Sequence, residues 1–372
     1  MNGLGAPAAK LRAFLAREVQ GHELLHALAV IGPLVVAYLV SGEAALLSLG
    51  LVAIALFVPA QKLRLGPGMV GLQYLLIIGV FAVLFIALPF KPVFVLLTAL
   101  VAFLTVAVTR YGNQLRTLGN WVFIPAVYLA CEVREGTGMT EAWRHAGLIV
   151  ALSPVALALV CADQMLDRNR PVGSPPDYGP ASTNWLLLAG ATACAVLAAA
   201  AVVEAFDIAQ GQWLIWSSAS VIVGDLSATT GKLKLRALGA TIGAPLGLVI
   251  GWALPASHLG YSIAVLGAIL TLIAFSRYAV GFGLRCFLIA LAAAFGGGVS
   301  ELAEERVANV LMGRCFRPRC RGDDGIDLAL PNGFAAIRSS RHTRLIHRIT
   351  GLLASANAPI AAQTYAIPGH VR

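Results

Sequence analysis

The sequence predicts an all-α polytopic membrane protein with about 11–12 transmembrane helices in two repeated halves. Three observations predict it. Of the 372 residues, 58% are hydrophobic and 12% charged, with a mean hydropathy of +0.80; so few charges cannot clothe a soluble domain of this size. Apolar runs recur along the chain, many close to the ~20 residues that cross a ~30 Å hydrocarbon core. The Lys and Arg residues sit in short clusters between those runs, as they do in cytoplasmic loops, rather than on one basic face. The formal net charge of +9 therefore marks loops and tail, and the expected partner is membrane lipid, not nucleic acid.

Taken in order, residues 1–23 form a polar N-terminal segment carrying Lys10, Arg12 and Arg17. Apolar runs follow at 24–41, 44–60, 68–88, 92–109, 118–131 and 145–162, and together residues 24–162 make the first transmembrane repeat. The stretch "DQMLDRNRPVGSPPDYGPAST" (163–183) is rich in Pro and Gly and reads as a linker. A second repeat, 184–313, carries runs at 184–203, 211–224, 237–254, 258–275 and 281–299. Several are short for a span, so they must be extended, tilted or buried among neighbours. "SELAEERVANVLMG" (300–313) begins like a twelfth helix, but "RCFRPRCRGDD" cuts it off. Whether it spans, and hence the side of the C-terminus, stays open. Residues 314–372 read as a basic, loosely ordered tail with a short basic helix near 338–350.

Alternating positives orient the spans. Clusters at Lys10/Arg12/Arg17, Lys62/Arg64, Arg110/Arg116, Arg168/Arg170, Lys232/Lys234/Arg236 and Arg277/Arg285 fall on one side, which predicts a cytoplasmic N-terminus in a multi-pass membrane protein. The first apolar run passes into the second without a small-residue cleavage site, so no cleavable signal is expected. The two halves also echo each other. "KLRL" (62–65) returns as "KLKL" (232–235), and "TRYGNQLR" (109–116) returns loosely as "SRYAVGFGLR" (276–285), at nearly equal offsets. With an even number of helices per half, these would be parallel repeats.

Within the second half, "KLKLRALGATIGAPLGLVIG" sets a basic cluster against glycines 239, 243, 247 and 251, each four residues from the next. Gly239, Gly243, Gly247 and Gly251 thus share one helix face, where small residues admit a neighbouring backbone. Helix packing is one reading. The other is a bend at Pro245 lining a substrate path. Arg236 abuts the ladder, and Arg277 and Arg285 flank apolar runs in the same half; arginines so placed either snorkel to the interface or hold a planar organic anion. Asp225, Glu43, Glu132, Asp163, Glu204 and Asp207 are the acidic candidates near boundaries for proton relay or internal pairing.

Several chemistries find no support. There is no G-x-x-x-x-G-K-[ST] nucleotide loop, and no G-x-S-x-G or C-x-x-C. The cysteines lie mostly singly in apolar runs, and His22, His26, His145 and His258 are scattered near run ends, as loop or packing residues. No enzyme, cofactor or metal is expected. A secondary transporter or channel is.

The segment "GQWLIWSSASVIVGDLSATTGKLKLRALGATIGAPLG" (211–247) resembles the signature of the fusaric-acid-resistance-like family of bacterial inner-membrane proteins, which includes aromatic carboxylic acid efflux pumps. The matching positions are Trp213, Arg236, Gly239, Thr241 (displaced by one) and Gly243. "RVANVLMG" resembles the family's closing element through Arg306, Leu311 and Gly313. The resemblance implies a two-repeat helical exporter of aromatic carboxylate-like anions, driven by an ion gradient; the missing nucleotide loop makes protons the expected coupling ion. On this reading Arg236, with Arg277 or Arg285, attracts the carboxylate, and Arg306, Trp213 and Asp225 are the further candidates for the anion path. A passive organic-anion channel and an assembly protein packing through its glycine faces are the alternatives. The large cytoplasmic domains of many members are absent from this sequence, which leaves room for a homo-oligomer or a helper membrane protein.

Overall fold

Each apolar run before residue 300 becomes one α-helix. The computed structural model describes residues 18–134, 138–167, 178–208, 211–221, 226–255, 257–295, 319–321 and 325–327; residues 220, 221, 226–234 and 237 and the last two segments are described as backbone alone. The helices are α1 (Gly21–Ser41), α2 (Ala45–Lys62), α3 (Pro67–Ala87), α4 (Lys91–Ala107, continued by a 3-10 turn to Arg110), α5 (Leu115–Arg134), α6 (Met139–Leu166), α7 (Trp185–Phe206), α8 (Gln212–Val221), α9 (Leu226–Ala253), α10 (His258–Leu270) and α11 (Tyr278–Phe295). Arg319–Arg321 and Gly325–Asp327 pair as a two-stranded antiparallel hairpin. The stretch 300–313, the tail beyond residue 327, Asp225 and Arg306 lie outside the described residues.

Seven helices among the described residues are long and apolar enough to cross a membrane: α1, α2, α3, α4 with its 3-10 turn, α6, α7 and α11. The described residues form an all-α polytopic membrane fold with seven such spans, against the 11–12 helices expected for the chain. The difference is physical. α5 carries Arg116, Asn120, Glu132 and Arg134, α8 has 10 residues, α10 has 13, and α9 has an apolar portion of only Leu238–Ala253. Such helices lean on protein neighbours rather than on lipid alone.

Side-chain links fix how the helices alternate. At the end where α1 begins, Gln164 at the close of α6 donates to the Leu65 carbonyl between α2 and α3. The α4–α5 turn pairs there with the chain entering α7, through Asn113 N–H to the Pro180 carbonyl and Ser182 N–H to the Thr109 carbonyl. At the opposite end, Arg144 at the start of α6 meets Glu43 at 3.5 Å, and Arg134 at the close of α5 meets Glu204 near the close of α7 at 2.6 Å. α1 to α7 therefore run antiparallel in sequence. Residues 18–20 then lie beside 274–276, with a β-bridge between Val19 and Phe275 and Gln20 N–H donating to the Ala274 carbonyl. This brings the α10–α11 connection to the end where α1 begins.

α2 is the centre of the bundle: Leu49, Val52, Ala53, Ile54, Ala55 and Leu56 are all fully buried. α3 instead turns Leu72, Leu75, Val83 and Ile86 outward, as a lipid-facing helix does. α6 continues to Leu166, into the stretch expected as a linker from residue 163.

Among the described residues, the helices give no evidence of the expected internal repeat. "KLRL" closes α2 and forms the turn before α3, whereas "KLKL" lies inside α9. Arg116 opens α5, whereas Arg285 lies about two turns into α11. Lysine and leucine are good helix formers in either setting, so a basic tetrad carries no fixed structural position.

Candidate functional site

The glycine ladder resolves into a backbone-to-backbone seam. α9 and α11 form the most extensive helix pair in the molecule. A Cβ on Gly243 would stand 2.2 Å from the Gly283 carbonyl oxygen, and one on Gly247 would stand 2.2 Å from the Phe287 oxygen. On Gly239 it would reach Gly283 N at 3.0 Å, and on Gly251 the Ala294 Cβ at 2.3 Å. Real Cβ atoms do not approach a carbonyl so closely, so glycine is required at 243 and 247 for the helices to touch. α9 passes through Pro245 without interruption. Arg236 is buried, and its guanidinium lies 5.1 Å from the Phe282 ring centroid on α11. It stacks on the seam as a cation–π contact.

A cavity of about 380 Å³ lies between α2, α5, α8, α10 and α11. α8 supplies Gln212, Trp213 and Trp216, with the two indoles stacked at 5.0 Å. α5 supplies Tyr128, edge-on to Trp213 at 5.9 Å, and Glu132 one turn further. Ser48 on α2 donates to Glu132 Oε2 at 3.2 Å. α10 contributes Tyr261, Val265, Ala268 and Ile269, and α11 contributes Arg285, Ile289 and Ala292. The volume is that of a small-molecule site, which typically spans ~300–1,000 Å³ with apolar walls and few polar groups.

Arg285 is held by the end of α10. Its Nε donates to Thr271 Oγ1 at 3.0 Å, and a terminal nitrogen donates to the Thr271 carbonyl at 3.1 Å. α10 ends at Leu270, and the last carbonyls of a helix lack internal partners and carry partial negative charge. They are natural acceptors for a guanidinium in an apolar setting.

Of the sequence-flagged residues, Arg285, Trp213 and Glu132 come together on this cavity. Arg236 belongs to the α9–α11 seam instead. Arg277 lies outside the cavity too: its Nε meets buried Glu18 at 2.8 Å, where Ser276 also donates to Glu18. Asp225 and Arg306 fall outside the described residues. Tyr128, Tyr261, Gln212 and Ser48 carried no local signal, since each is an ordinary polar or aromatic residue in an apolar run. Glu132 did carry one, as a carboxylate closing such a run.

Residues 188–316, from within α7 through α11 and beyond, match the family model described as fusaric acid resistance protein-like. The likeness to that family covers this part of the chain alone. The match contains α8, the glycine seam and Arg285. No curated protein and no solved structure matches the chain.

Proposed function

We propose that the protein is a secondary transporter that exports an aromatic carboxylate-like anion, with the α2–α5–α8–α10–α11 cavity as its binding site. Arg285 on an aromatic-walled cavity is the observation that carries this reading. A guanidinium has five donors, and Thr271 engages two of them, leaving others for a carboxylate. The stacked indoles of Trp213 and Trp216 offer a ring a flat apolar partner. Glu132, on the same cavity, is the candidate proton carrier: protonated it admits the anion, and ionised it opposes one. The glycine seam carries α11, and with it Arg285, as one packed unit with α9. The match to a fusaric acid resistance protein-like domain supports a transport role of this kind.

The test is efflux of a labelled aromatic carboxylate from proteoliposomes, with and without a pH gradient. Wild type is expected to move the anion with the gradient, and Arg285→Ala to lose at least tenfold of that flux, while Glu132→Gln uncouples flux from the gradient. Equal flux in wild type and Arg285→Ala would remove the cavity from the path. Gradient-independent flux that still needs Arg285 would mean a channel. No flux of any anion by folded protein would mean an assembly role.

A further inference from the structure

The geometry points to a divalent transition-metal site, of the kind Zn²⁺ occupies, joining the first turn of α1 to the close of α6 through His22, His26 and Asp167. One ligand atom from each of these three residues lies within 4.8 Å of the others. His22 and His26 are four residues apart on α1, so both imidazoles fall on one helix face, with ring centroids 4.5 Å apart. Asp167 caps the C-terminus of α6, where the helix carbonyls add partial negative charge that favours a cation.

A second observation points independently to a ligand. Asp163, one turn before Asp167, accepts from His26 Nδ1 at 2.7 Å, with its side chain only 7% exposed. An ionised carboxylate cannot donate, so this bond puts the proton on Nδ1 and the lone pair on Nε2. A buried carboxylate that fixes the tautomer of a histidine is the usual outer-shell partner of a metal-bound imidazole. The other oxygen of Asp163 is buried with no hydrogen-bond partner, so its charge lacks the compensation that an adjacent cation would supply. Two imidazoles and a carboxylate suit Zn²⁺, Co²⁺ or Ni²⁺ and not Mg²⁺ or Ca²⁺, which take oxygen ligands. A cavity of about 190 Å³, lined by both histidines, Glu23 and Lys62, adjoins the group and has room for water in the remaining coordination positions. Glu23 follows His22, so residues 22–26 read H-E-x-x-H, a spacing that sets two histidines on one helix face for a metal.

The site is separate from the anion cavity, and its test reads binding alone. Full-length protein purified on a tag without histidine is titrated with ZnCl₂ by calorimetry and with Co²⁺ by visible absorption. One equivalent is expected to bind, with cobalt d–d bands and a rise of several degrees in Tm. His22→Ala and Asp167→Asn are each expected to weaken binding at least tenfold. Asp163→Asn, a positioning change, is expected to weaken it ~10–100-fold. A variant with His342, His347 and His370 all changed to Ala is expected to bind like wild type. His22 is exposed, so its variant tests the site without disturbing packing. The proposal is overturned if binding survives in His22→Ala/Asp167→Asn, is lost in the tail variant, or is absent from wild type.

Discussion

The two most extensive helix pairs, α9 with α11 and α4 with α7, solve the same problem in different ways. Both must hold helices together in lipid, where burying apolar surface brings no advantage over contact with lipid tails. α9 uses glycine and brings its backbone against that of α11. α7 uses alanine, with Ala189, Ala191, Ala195, Ala199 and Ala200 all buried, and the ends of its pair with α4 are tied by polar groups. Lys91 at the start of α4 donates to the Glu204 carbonyl at 2.9 Å and meets Asp207 at 2.5 Å. Arg110, past the far end of α4, lies 5.8 Å from the Trp185 ring centroid. A glycine seam depends on shape along its whole length. An alanine seam with polar ties tolerates more along its length and concentrates its vulnerability at the ends.

The largest effect that follows is on the glycine seam. Gly247→Leu is expected to separate α9 from α11, costing more than the ~1–3 kcal/mol typical of overpacking because the obstacle is a backbone carbonyl. Size-exclusion chromatography in detergent should show loss of the monodisperse peak. The contrast that sharpens this is Gly190→Ala on α7, where a Cβ meets nothing within 4 Å. That variant should be neutral or stabilising by up to ~1 kcal/mol, since alanine is the better helix former. Equal loss from both variants would dissolve the comparison.

An intermediate effect is expected at Glu204, which is 4% exposed and paired with Arg134 from α5. Arg134→Met strands the carboxylate and should cost ~3–5 kcal/mol in denaturant unfolding. The double variant Arg134→Met/Glu204→Met should recover most of that loss, because it removes both charges.

The smallest effect is expected at the exposed pair. Lys91, by hydrogen bonding first and by its charge second, holds the Asp207 carboxyl below the usual aspartate range. A depressed carboxylate adds stability above its unfolded value and loses it as pH falls through the folded one. The Tm difference between wild type and Lys91→Ala should therefore be slight at neutral pH and vanish on acidification through that range. A difference that grows in acid would contradict the pairing.

Hydropathy made the succession of helices legible, because an apolar run in lipid has few options besides a helix. It did not reveal where helices stop. α9 continues back through "KLKL" to Leu226, since hydrogen bonding along a helix does not require apolar side chains. It also overstated the spans, because a short run such as α8 or α10 reads the same whether lipid or protein surrounds it. At the cavity, Arg285 was visible as an arginine at the edge of an apolar run, and Trp213 through the family resemblance. Glu132, Ser48 and Tyr261 come from helices far apart in sequence and meet only through folding. His22 and His26 had a local signal, the H-E-x-x-H pattern of residues 22–26, which reading them as scattered packing residues passed over; Asp163 and Asp167 join them only from the end of α6.

The pairing of residues 18–20 with 274–276 has a consequence for how the molecule is made. Glu18 is 1% exposed and takes its partners, Ser276 and Arg277, from a part of the chain synthesised much later. Ser276 lies 258 residues downstream, and at ~5–20 residues per second a ribosome needs roughly 10–50 s to reach it. Residues 18–20 cannot close that pairing before residues 274–277 have been made, so it ties the chain entering α1 to arrival of the segment that leads into α11.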